Sequence, residues 1–231
     1  MLIDHVGDVW SGSIPNSFFL RLVGRIAFPI YAYLIAEGCR RTKDMKKYLI
    51  RLGVFALISE IPFDLCFENS GVRSLQDLTF LSFDYQNIFF SLFLSVLAIY
   101  IYETAKDTKF MLPGLLAFPL AMFAADKLNA DYGHTAVFII CALYFLHNKI
   151  AQSAVMVIGS AMLYLPNMGY RGYLFGYNIS FGFAAFVFAS VPAVLIWFYN
   201  GERGLKLKYF FYIMYPLHLL VLAAVQIILI M

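Results

Sequence analysis

The chain has 231 residues, 62% of them apolar and 18% aromatic, with only 13% charged and a formal net charge of +3. Soluble domains carry roughly 45–50% apolar and about 25% charged residues, so a soluble enzyme, a disordered chain, a secreted disulfide scaffold and a nucleic-acid binder are all excluded. A polytopic membrane protein remains: one all-α bundle over residues 1–231, with no linker, low-complexity run or internal repeat.

Residues 1–10, MLIDHVGDVW, come first. Only Leu2 and Ile3 separate Met1 from Asp4, so no signal-peptide apolar region forms. The segment is too short to span a bilayer. It reads as the outer half of a helix whose inner half is absent, or as a short helix on the outer surface.

A spanning helix needs roughly 20 mostly apolar residues. Eight stretches qualify or nearly do: 18–37, 48–67, 87–103, 110–126, 133–148, 151–167, 180–199 and 209–230. The shorter ones imply tilt or local thinning. Lys and Arg in the loops set the orientation. Alternate loops carry Arg40, Arg41, Lys43, Lys46, Lys47 and Arg51, then Lys106 and Lys109, then Lys149, then Arg203, Lys206 and Lys208. The other side has only Arg73, Lys127 and Arg171. The basic loops are therefore expected in the cytoplasm, and segments 68–86, 127–132 and 168–179 outside.

Charges within spans are costly and mark functional sites by default. Arg21 and Arg25 lie four apart on the outer half of the first span, so they share a helix face. Glu60 and Asp64 lie four apart on the outer half of the second. At the helical rise, Arg25 and Glu60 sit about one turn outside mid-membrane, and Arg21 and Asp64 about two. The depths predict two ion pairs, Arg25–Glu60 and Arg21–Asp64, in a polar compartment. Such a ladder could equally serve only to lock two helices together.

Asp126, Asp131, Asp4 and His5 reach the same zone from the outside. His218 lies near mid-membrane in the run YPLHLL, where Pro216 frees a backbone carbonyl it could bond. His5 is a natural general base near neutral pH. Adjacent helical residues do not face each other, so Asp4 need not orient His5, which could instead pair with a carboxylate on another helix. His134 and His147 lie at span ends, where a histidine can snorkel. Cys39, Cys66 and Cys141 lie at three different depths, which disfavours a disulfide. No metal-ligand spacing, HExxH, GxSxG or phosphate-binding glycine loop is present.

The runs GRIAFPIYAYLIAEGCRRT, KKYLIRLGVFALISEIPFDL, YNGERG and KYFFYIMYPLHLL together resemble the TraX family, membrane acetylases of conjugative pilin. The opening MLIDHVG is similar to that family's first-helix motif, which normally sits within a longer apolar run. The resemblance implies a multi-pass acetyltransferase of the bacterial inner membrane. It would move an acetyl group from cytoplasmic acetyl-CoA to an amine or hydroxyl at the outer side, such as the N-terminus of a pilin, with no metal. Carried over by position, His5 becomes the leading catalytic candidate, with Asp4, Arg25, Glu60 and Asp64 around it. Coenzyme A would fall to the basic loops, where Arg40, Arg41, Arg51, Arg203 and Lys206 offer phosphate donors, and to His218. The same basic residues could serve orientation alone. Direct transfer and a route through an acetylated histidine both fit these residues.

The competing reading is a transporter or channel using the buried Arg, Glu, Asp and His as a pathway. A third is a structural partner in a secretion assembly. Membrane lipid contacts the chain in every reading.

Overall fold

The computed structural model describes residues 1–11, 13, 14, 16–68, 80–82, 84–174, 177–202 and 208–230. Helix α1, Leu2–Val9, is followed by a reversal of the chain, and Asn16, just before the next helix, takes a left-handed conformation (φ 63°). The chain then returns through α2, Ser17–Gly24, and α3, Ala27–Arg41. Arg25 and Ile26 keep helical angles, so Ser17–Arg41 forms one apolar segment of 25 residues. Two glycines let α1 lie close on α2. A Cβ on Gly24 would fall 2.1 Å from Asp4 Cβ, and one on Gly7 would fall 2.9 Å from Leu20 Cβ.

Helix α4, Met45–Phe67, starts where the Asp44 side chain accepts the Lys47 amide at 2.9 Å. Helix α5, Ile88–Ala105, starts where Asn87 accepts the Phe89 amide at 3.0 Å. These are ordinary side-chain caps for orphan N–H groups. Then come α6, Met111–Leu115, α7, Ala117–Lys127, α8, Gly133–Phe145, and α9, Lys149–Tyr164, which ends in a 3-10 turn, Leu165–Asn167. Strands β1, Arg171–Leu174, and β2, Tyr177–Ser180, form an antiparallel hairpin pairing Arg171 with Ser180. Helices α10, Phe181–Ser190, α11, Pro192–Phe198, and α12, Lys208–Ile230, complete the chain.

The result is a helical membrane bundle. Among the described residues five segments are long and apolar enough to cross a membrane: Ser17–Arg41, Ile88–Ala105, Lys149–Asn167, Phe181–Phe198 and Tyr209–Leu229. Their outward faces expose large apolar side chains such as Phe198, Ile213, Val221 and Leu229, which water would not tolerate in such continuous array. Helix α4 is 23 residues long but carries five charges. The stretch expected to span at 110–126 is instead broken at Leu116, after Pro113 and Gly114. Helix α8 has only 13 residues, not the expected 16, because Leu146 leaves the helix for an extended conformation. The hairpin occupies the segment expected to be a plain outer loop.

Helix α4 packs between α5 and α12, α5 continues onto α7 and α8, and α8 joins α3 and α9. Helix α9 is bonded to α10 and α11 by Ser160 Oγ to the Ala189 carbonyl (3.0 Å) and Ser153 Oγ to the Ala193 carbonyl (2.7 Å). Such interhelical hydroxyl bonds suit an interior without water. The loops gather at two ends. At one, Arg41 donates to the Gly201 carbonyl (2.8 Å), and Lys149 to those of Trp197 (3.0 Å) and Tyr199 (3.1 Å). At the other, Asn129 bonds the Asp84 carbonyl (2.9 Å), and Gln86 pairs with Ala130. Arg41 and Lys149 thus share one end, the basic end.

Candidate active site

Asp4 and Asp8 are four apart on α1, and Arg21 and Arg25 four apart on the antiparallel α2 and its continuation. The two rows meet. Arg25 Nη2 lies 2.5 Å from Asp4 Oδ1, and Arg21 Nη1 lies 3.0 Å from Asp8 Oδ1. The expected Arg25–Glu60 and Arg21–Asp64 pairs are therefore not formed. Helix α1 occupies the face of α2 that α4 was assigned, while α4 lies between α5 and α12. Glu60 accepts instead from the Asn87 side chain, and Asp64 accepts the Ser82 amide at 2.6 Å. Both carboxylates are buried, and neither lines the cavity described below.

His5 meets His218 on α12. Nδ1 of His5 lies 2.8 Å from Nε2 of His218, and the rings stack 4.9 Å apart at 16°. The partner of His5 is thus an imidazole rather than a carboxylate, and Asp4 turns to Arg25. Phe67 and Tyr215 pack edge-on against His5, at 5.2 and 6.3 Å. Nδ1 of His218 lies 2.7 Å from the Met214 carbonyl. That carbonyl is not the one of Tyr212 that Pro216 frees but the one four residues before His218.

This contact assigns the protons. A carbonyl only accepts, so His218 Nδ1 carries hydrogen. With both rings neutral, His218 Nε2 must then accept, and His5 Nδ1 must donate to it. The lone pair left over is on His5 Nε2. A backbone carbonyl thereby poises His5 as a base through a second histidine.

His5 and His218 line a cavity of about 910 Å³. Its wall follows α4 from Tyr48 to Phe67, about 28 Å at the helical rise. The polar end holds Asp4, His5, Asp8, Arg21, Arg25, Tyr85, Asp131 and His218. The remainder is apolar and aromatic, with Tyr31, Ile35, Tyr48, Leu52 and Tyr212 toward the basic end. A long apolar cavity with a few convergent polar groups is the usual form of a ligand site.

Two loops are joined at the polar end. The Gln86 amide donates to the Asn129 carbonyl (3.1 Å), and the Asp131 amide to the Gln86 carbonyl (2.9 Å). Ser91 Oγ bonds the Asp131 carbonyl at 2.6 Å, and the Tyr85 hydroxyl donates to Asp131 Oδ1 at 2.9 Å. Burial pushes the Asp131 carboxyl up to about 6, against the opposing pull of Tyr85 and Arg25. Tyr132 follows with φ 61°, a left-handed conformation rare for a bulky residue. Its ring stacks on Phe28 at 4.0 Å. Sequence reasoning passed over Asp8, Tyr85 and Tyr132. The spacing of Asp4 and Asp8 was the available signal for the first, and a two-loop clasp has none.

The other candidates fall elsewhere. Asp126 Oδ1 caps α8 by accepting the His134 amide (2.8 Å) and pairs with His134 Nδ1 (2.9 Å), both residues exposed. His147 Nδ1 bonds the Phe145 carbonyl at 2.9 Å. The Arg40 guanidinium binds Glu37 and the carbonyls of Leu143, Tyr144 and Leu146, satisfying the C-terminus of α8. Arg41 pairs with Glu37 at 2.8 Å. Arg51 lies over the Tyr48 ring at 5.7 Å, beside the cavity's far end. Arg203 and Lys206 lie outside the described residues. The three cysteines are buried and free.

A family model described as TraX protein matches residues 1–226. The chain is also similar to the probable fimbrial assembly protein FimC, serogroup H1, of Dichelobacter nodosus, with 28% identity over 217 residues covering 90% of this chain and 82% of that protein. No solved structure matches.

Proposed function

The chain belongs to the TraX family, and from that premise we propose that it is an acetyltransferase of the bacterial inner membrane. The donor is cytoplasmic acetyl-CoA and the acceptor an amine, or a hydroxyl, presented from the outer side. Likeness to a fimbrial assembly protein favours a pilin-like subunit as acceptor. In this reading α4, α6 with α7, and α8 join the five apolar segments to give eight crossings, with the basic end in the cytoplasm.

The observation that carries the reading is the lone pair left on His5 Nε2 beside a cavity running toward the basic end. The apolar stretch past Tyr212 and Leu52 suits an acyl-pantetheine arm, and Arg51 over the Tyr48 ring, with Arg41 at the basic end, suits phosphates. As the acceptor nitrogen bonds to the thioester carbonyl carbon, His5 Nε2 takes the proton that nitrogen loses. The carbon–sulfur bond breaks, and the proton passes from His5 to the leaving sulfur. His218 stabilises the imidazolium by accepting its Nδ1 proton in a hydrogen bond. Arg25, held by Asp4, supplies positive charge near the carbonyl oxygen.

The test is acetyl transfer from radiolabelled acetyl-CoA to a peptide with a free N-terminus, using purified protein in lipid nanodiscs. Transfer that needs His5 supports the reading. Transfer unchanged in His5→Ala contradicts it.

A further inference from the structure

Two of the three carboxylates on the cavity's polar wall are matched with guanidiniums: Asp4 with Arg25 and Asp8 with Arg21. The third, Asp131, has no basic side chain within ion-pair distance among the described residues. The Met1 ammonium also lines the cavity, but its interactions are with Asp4 and Arg25 rather than with Asp131. A carboxylate in such a place calls for a cation. Asp131 is nonetheless firmly positioned, by the Gln86–Ala130 clasp, the Ser91 bond to its carbonyl and the Tyr85 bond to its carboxylate. It lies within electrostatic reach of Asp4 and Arg25. The cavity is accessible here, since the Tyr85 beside it is 42% exposed and the Asp8 side chain 38% exposed.

We propose that Asp131 receives the ammonium group of the acceptor and makes this site select an amine over a hydroxyl. The proposal rests on the acetyltransferase reading above and names the residue that sets its acceptor specificity. An incoming R–NH3+ gives Asp131 the cationic partner it lacks among the described residues, whereas a hydroxyl brings none. Burial makes Asp131 a stronger base than an ordinary carboxylate, while leaving it ionised at neutral pH. It accepts the surplus proton: R–NH3+ and the carboxylate become R–NH2 and the carboxylic acid. The freed nitrogen lone pair is the nucleophile, and its next proton goes to His5 Nε2 as the amide bond forms.

The experiment is calorimetric titration of the purified protein with two short peptides, without acetyl-CoA. One has a free α-amine, and the other an α-hydroxyl in its place. The wild type is expected to bind the amine peptide at least tenfold more tightly. Asp131→Asn is expected to lose that preference while its affinity for the hydroxyl peptide stays within twofold, and Asp131→Glu to recover part of it. A preference that persists in Asp131→Asn, an equal loss of both peptides, or no preference in the wild type overturns the proposal. Acetyl-CoA is titrated into the same preparations. Preference through Asp131 without acetyl-CoA binding keeps this inference and sinks the acetyltransferase reading. Acetyl-CoA binding without that preference does the reverse.

Discussion

His5 on α1 and His218 on α12 are joined by a 2.8 Å hydrogen bond between residues 213 positions apart in the chain. The Met214 carbonyl fixes the proton order of the pair and leaves His5 Nε2 as its base. The two rings therefore have unequal roles. His5→Ala is expected to lower acetyl transfer by about 10²–10⁴-fold, the usual worth of a general base, with the protein still inserted. His218→Ala is expected to cost about tenfold and to move the pH profile of kcat, because His218 acts by orienting His5. Equal losses with no change in profile would contradict this division.

The Asp4–Arg25 contact predicts strong coupling. Removing either partner leaves a buried charge alone, typically a loss of about 3–5 kcal/mol. Asp4→Asn with Arg25→Gln should then cost at least about 1 kcal/mol less than the sum of the single changes, read from thermal melts in detergent. Arg25→Gln with Glu60→Gln should be additive. The reverse pattern would restore the pairing expected from depth alone.

Arg40 is bonded to Glu37 and to three carbonyls at the end of α8. Arg40→Met should destabilise the fold by about 2–4 kcal/mol through those orphaned groups. Acetyl-CoA affinity of the protein that remains folded should be unchanged. Wild-type melting with lost acetyl-CoA binding would instead make Arg40 a phosphate ligand.

Asp131 predicts a pH signature in stability. Its carboxyl is raised to about 6 in the folded chain from an ordinary 3.8, so the folded state holds the proton more tightly than the unfolded one. That contribution is fully present below pH 4 and lost as pH rises through 6. Asp131→Asn should match the wild type near pH 4 and melt higher above pH 6, by on the order of 1 kcal/mol. A variant no more stable at pH 7 than at pH 4, relative to wild type, would contradict this.

The membrane class of the molecule was legible because apolar content acts through solvation alone. His5, His218 and the outer polar compartment were legible for the same reason: depth can be counted along a helix. Partners were not. A spacing of four gives a shared face but not the helix opposite, and both α1 and α4 offered carboxylates four apart to Arg21 and Arg25. Only the close seat at Gly7 and Gly24 decides for α1. Arg40 looked like a loop charge because its acceptors are backbone carbonyls more than a hundred residues away. Asp131 was placed in the polar zone by its depth, but its seat there depends on pairing between two distant loops.

The most direct measurement is calorimetric binding of acetyl-CoA to the purified protein in detergent, with free CoA and ATP for comparison. The cavity and the poised His5 predict saturable binding of acetyl-CoA and CoA but not ATP. No binding of acetyl-CoA, or equal binding of ATP, would contradict an acyl-donor site and leave the buried charges to a transport pathway.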